Sequence, residues 1–109
     1  MQSQKLDFQS LILSQDAIEG YWKENTYTKN LINDNMQMIY DKVKHHIDSF
    51  CLGRDISIKL LYTFIVVYYV LHKQKDLIEE VSWILSKGKN FMKLNYMNYE
   101  DIIKNVINK

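Results

Sequence analysis

The side chains with the densest ligand chemistry in this sequence are His45, His46 and Cys51, all residue types that bind zinc when they converge. Adjacent histidines on a helix point about 100° apart, and no i, i+4 pair of His, Cys or carboxylate completes a four-ligand site around them. They read as surface residues, and no metal is expected. Glu79 and Glu80 could in principle divide general acid and base work, but paired carboxylates on a helix surface are ordinarily solvating charges. The three glycines, Gly20, Gly53 and Gly88, are isolated and cannot build the run of backbone amides that cradles phosphate. Lys87, Lys89, Lys93 and Lys104 interleave with Tyr96 and Tyr99, a pattern that suits stacking on nucleic acid, yet Glu100 and Asp101 dilute it. Nothing pairs a nucleophile with an orienting base. The expectation is therefore a chain that is no enzyme, with no cofactor and no small-molecule substrate.

Composition narrows the partner classes further. The 109 residues are enough for one ordinary domain with its own core, and 47% hydrophobic against 25% charged is a globular balance. Fourteen basic and 13 acidic residues leave a net charge of +1, too little to hold a polyanion or an anionic membrane at long range. A lone cysteine excludes an intramolecular disulfide and suits a reducing compartment, so cytoplasm is the expected location. The longest uncharged apolar run, Leu60 to Leu71, is shorter than the roughly 20 residues of a membrane span and starts mid-chain. No repeat or linker divides the sequence, and one domain over 1–109, a piece of a longer parent chain, is the expected organisation.

The elements that carry these residues read as helices. Phe8, Leu11 and Ile12 share one helical face, giving a first helix over about 4–16 with Leu6 and Leu13 on its flanks. Gly20 then supplies a turn that delivers Trp22. After an N-cap at Thr26 or Thr28, a helical pattern runs from Leu31 and Ile32 through Met36, Ile39, Tyr40, Val43 and Ile47 to Phe50. The weak helix formers Asn33, Asp34 and Asn35 leave open whether it breaks. Gly53 ends it, and Asp55 or Ser57 is placed to cap the next helix. Ile56 to Leu71 is apolar nearly all round and rich in β-branched residues. Its length exceeds the usual strand of about 5 to 6 residues, which favours a central buried helix over about 56–72.

Beyond the polar turn at Lys73 to Lys75, an amphipathic stripe runs through Leu77, Val81, Ile84, Leu85, Gly88, Phe91 and Met92. Gly88 lies in this stripe, where a missing side chain lets another helix approach. Asn98 caps a last helix carrying Tyr99, Ile102, Ile103, Val106 and Ile107, with Asp101 in its first turn. The sum is an all-α fold, a bundle of five or six helices around a central apolar one. Helical projection puts Trp83 about 140° from the centre of the stripe. Burial beneath another element, such as the Gly20 to Trp22 turn, is the favoured reading, with an exposed interface anchor as the alternative.

The order of these features resembles the C-terminal helical domain of proteins that carry a vault-inter-alpha-trypsin domain and a von Willebrand A domain. Leu11-Ile12-Leu13-Ser14-Gln15 followed by Gly20-Tyr21-Trp22 is similar to the family's opening of a leucine, a glutamine and Asp-Gly-x-Trp, with Glu19 in place of the aspartate. Thr63 resembles the threonine of the family's apolar helix. Trp83, Lys87, Gly88 and Phe91 resemble its Trp, Lys, Ala and aromatic positions, Gly88 departing from the alanine. In the vault poly(ADP-ribose) polymerase the corresponding region binds the major vault protein, while catalysis lies elsewhere in that polypeptide. The resemblance thus implies a protein-docking module for vault targeting, in which Gln15, Gly20, Trp22, Thr63, Trp83, Lys87, Gly88 and Phe91 determine the fold and the partner-binding face is left open. A domain that packs within its own parent chain is the alternative, and nucleic-acid binding through the C-terminal lysines a weaker one.

Overall fold

The apolar run expected as a central helix is α4, Arg54–Lys73, and it organises the remaining elements. The computed structural model describes residues 8–108, apart from the Asn35 side chain. Around α4 stand α1 (Phe8–Leu13), α2 (Thr26–Leu31), α3 (Gln37–Asp48), α5 (Ser82–Leu94) and α6 (Tyr99–Ile102), and no strand occurs among the described residues. The described residues form an all-α bundle of six helices. From Leu60 to Val67 every residue of α4 is buried, so this segment has no solvent face and no polar stripe. Burying such side chains is worth roughly 1.5–3 kcal/mol each, which outweighs the weak strand preference of Ile65, Val66 and Val67. α3 packs on one side of α4 and α5 on another, while the segment after α6 returns to α3. At 20 residues and a mean hydropathy of 1.4, α4 is long and apolar enough to cross a membrane, as the core helix of a bundle also is.

Several helix ends differ from the sequence expectation, each for a local reason. α1 stops at Leu13 because the Ser14 amide and hydroxyl both turn back to Leu11 O, at 3.2 and 2.7 Å. The expected start at residue 4, and Leu6, lie outside the described residues. The cap of α2 is Asn25, not Thr26 or Thr28. Asn25 Oδ1 accepts from the Thr28 amide while Thr28 Oγ1 accepts from the Asn25 amide, both at 2.9 Å, a reciprocal capping box. The Asn33 to Asn35 triplet does not interrupt the helix but widens it into a π segment, Ile32–Met36, that keeps Ile32 and Met36 buried.

Neither Asp55 nor Ser57 caps α4. Gly53, at φ 95 and ψ 154, opens it directly in a conformation open essentially to glycine alone, and Asp55 pairs instead with Lys59 at 3.0 Å. The stripe from Leu77 to Met92 spans more than one element. Lys75–Leu77 is a 3-10 turn, and α5 begins only at Ser82. Leu77 and Val81 are half-buried in the connecting turns, which hold nearly the same 3-to-4 apolar spacing as the helix. Asn98 caps α6 as expected, its Oδ1 accepting from the Asp101 amide at 3.0 Å. The helix then opens into a second π segment, Ile103–Ile107.

Candidate interaction site

The loop between α1 and α2 carries the residues that link the two halves of the bundle. It begins with an Asx turn in which Asp16 Oδ2 accepts from the Glu19 amide at 2.7 Å and the Ile18 amide at 3.2 Å. Those amides, that of Glu19 foremost, hold the Asp16 carboxyl below its usual range. Gly20, at φ 93, reverses the chain against α5: a Cβ there would lie 2.8 Å from Lys87 O. Only glycine fits this crossing.

The reversal presses Trp22 into the core, where it is fully buried and anchored at both ends. Its indole Nε1 donates to Leu11 O at 2.9 Å, and its amide donates to Thr63 Oγ1 at 2.9 Å. A hydroxyl inside an otherwise apolar helix thus satisfies a peptide group that the turn would leave stranded. Gln15 spans the same crossing, its Nε2 donating to Gly20 O at 2.8 Å and Ile84 O at 2.9 Å. Lys87 Nζ donates to Ala17 O. Gly88 admits the indole: a Cβ there would stand 3.1 Å from Trp22 Cζ3 and 3.2 Å from Val67 Cγ2. Phe91 closes the edge of this joint, its ring 5.2 Å from that of Tyr21, over which Lys59 Nζ sits at 4.4 Å.

Gln15, Gly20, Trp22, Thr63, Lys87, Gly88 and Phe91 therefore gather around one crossing. Trp83 does not, and its favoured burial is corrected: the ring is 65% exposed on the second residue of α5. The physical reason is that the Gly20 to Trp22 turn packs over Lys87 and Gly88, about a helical turn further on, so that turn does not cover Trp83. Ile18, 88% exposed, follows Ala17, the residue that Lys87 grips. Ile18 in the loop and Trp83 on α5 are thus both left exposed. Sequence reasoning missed Ile18, since a lone isoleucine in a turn has no periodicity to assign it; the Asp16-to-Gly20 turn chemistry was the available signal.

The residues with ligand chemistry lie apart from that joint. His45 and Cys51 are exposed, and His46 stands edge-on to Phe50 at 4.8 Å. No group of three or more His, Cys, Asp or Glu side chains that could hold a metal occurs among the described residues. Lys89 pairs with Glu100 at 2.9 Å and covers the Tyr99 ring at 5.0 Å, which takes it and Lys87 out of any free cationic face. Glu79 and Glu80 are exposed in the turn before α5. A groove of about 560 Å³ runs between the end of α3 and the start of α4, but Glu24 and Asp48 along it offset Lys44 and Arg54. Burial raises the Tyr62 hydroxyl at its inner wall above the ordinary tyrosine range.

Comparison with protein-family models, curated proteins and solved structures finds no significant match to this chain.

Proposed function

We propose that this chain is a non-catalytic protein-interaction module that docks its parent protein onto the major vault protein. One observation carries the reading: the positions that resemble the helical domain of the vault-inter-alpha-trypsin and von Willebrand A proteins are mutually packed. Gln15, Gly20, Trp22, Thr63, Lys87 and Gly88 are scattered in sequence yet share hydrogen bonds or contacts at one crossing. Matches arising by chance have no reason to converge. Such a joint fixes the loop against α5 and leaves Ile18 and Trp83 outward, and exposed tryptophan is a residue type enriched where partners bind.

The test is co-sedimentation of the 109-residue chain with assembled vault particles at physiological salt, with an unrelated helical domain as control. Saturable binding that weakens in Trp83→Ala is the expected result. No binding to major vault protein of the same organism removes the vault assignment. Self-association or precipitation of the chain alone would then favour a domain whose apolar surface is covered within its own parent chain.

A further inference from the structure

Away from the Trp22 joint, a cleft of about 220 Å³ lies between the C-terminal end of α3 and the turn joining α5 to α6. His46 and Phe50 form one wall, with their rings 4.8 Å apart and nearly perpendicular. Tyr96 stands at the mouth, 96% exposed, and Asp101 supplies a carboxylate. Asp101 is in no ion pair among the described residues, although Lys104 lies only one turn further along.

The backbone under Tyr96 is the second observation. α5 ends in a Schellman motif, with the Tyr96 amide bonded to Lys93 O at 3.0 Å and the Met97 amide to Met92 O at 2.9 Å. That motif places its C′ residue in the left-handed region, where glycine is the usual occupant. Here it is Tyr96, at φ 63. A bulky side chain held there is strained, and it gains nothing from burial. The C-terminal ends of α3 and α5 and the N-terminal end of α6 all meet at this cleft, so their partial charges oppose one another and Asp101 supplies its negative charge.

Aromatic faces and an unpaired carboxylate share one complement, a cation with a flat face. We propose that this cleft receives an arginine side chain from a partner segment, the guanidinium stacked on Phe50 and Tyr96 and bonded to Asp101. Arginine fits better than lysine because its planar head stacks on rings and still presents a fork of donors to a carboxylate. The site needs only an arginine-bearing segment, so failure of the vault co-sedimentation would leave it standing.

The experiment is an NMR titration of the full chain with the peptide acetyl-Gly-Arg-Gly-amide, against the same peptide carrying citrulline, the neutral isostere. Saturable shifts centred on Phe50, Tyr96 and Asp101 are expected, with a Kd on the order of 1 mM, as suits one side chain. Citrulline and Asp101→Asn should each weaken binding by roughly tenfold. Tyr96→Gly separates recognition from folding: it should abolish the shifts while leaving the thermal midpoint equal or higher, because the strain is relieved. Equal binding of citrulline, an equally strong response to the same peptide with lysine in place of arginine, shifts centred elsewhere, no shift at about 20 mM peptide, or unaltered binding in Tyr96→Gly would each overturn the assignment.

Discussion

Replacing Thr63 by valine asks whether the joint depends on a buried hydroxyl or on shape alone. The two side chains have nearly the same volume, so Thr63→Val opens no cavity. It deletes the acceptor 2.9 Å from the Trp22 amide and the weaker contact of the same hydroxyl with Trp22 O at 3.4 Å. Both residues are fully buried, so water cannot replace the lost partner. Stranding one buried amide costs about 1–3 kcal/mol, partly offset by the extra methyl, and about 2 kcal/mol is expected. Thr63→Ser keeps the acceptor and removes Cγ2, the atom 3.4 Å from where a Cβ on Gly88 would lie. Losing one methyl in a packed site costs about 0.5–1.5 kcal/mol. Valine should therefore be worse than serine, whereas reasoning from packing alone reverses the order. Urea unfolding followed by far-UV circular dichroism reads this directly, since about 2 kcal/mol moves the midpoint by roughly 1 M. A valine variant within about 0.5 kcal/mol of the parent, or a serine variant less stable than valine, would refute the role given to the hydroxyl.

The same unfolding assay separates the two tryptophans: Trp22→Ala should cost about 3–5 kcal/mol and Trp83→Ala less than about 1 kcal/mol, and equal losses would contradict their opposite burial. Gly20→Ala and Gly53→Ala share the backbone strain of φ 93 and φ 95, but only the first meets an obstacle, so it should be worse by about 1–3 kcal/mol of overpacking; equal cost would remove the contact with Lys87. His72 titrates below its ordinary value because of desolvation first and then Lys75 and Lys73. Between the unfolded and folded values the unfolded chain binds more protons, so stability is fully present above the unfolded value of about 6.5 and is lost as pH falls through the folded one. Unfolding midpoints at about pH 7.5 and pH 5.5 should fall in that order, and His72→Gln should lessen the drop; an unchanged drop would assign it elsewhere.

The helices were legible wherever one face is buried and the period is regular. Leu60 to Val67 could be read as core because a run with no charged residue and a single small polar side chain, that of Thr63, has nowhere else to go. The Asn98 cap was legible because side-chain caps act on neighbours in sequence. Asn25 was missed although it obeys the same rule, because its partner Thr28 is itself a good capping residue and both carry the signal. The π segments and the late start of α5 were illegible for another reason. Apolar spacing in 3-10 and in π turns each differs from that of an α turn by less than one residue, and the backbone bonds that distinguish them leave no mark on composition.

The candidate sites divide along the same line. Gly20 and Gly88 could be marked as special from their type, but what each admits is a contact between distant parts of the chain: Lys87 O for Gly20, the Trp22 ring for Gly88. A Cβ at Gly88 would stand 3.1 Å from the Trp22 ring, which is a physical reason for glycine there. Trp83 shows the limit from the other side. Helical projection gave its direction correctly, away from the stripe, but whether another element lies in that direction depends on where the loop lands. The loop is held over Lys87 and Gly88 by Gln15, Gly20 and Trp22, one turn too far along to shelter Trp83. The joint that buries one tryptophan is thus what leaves the other exposed.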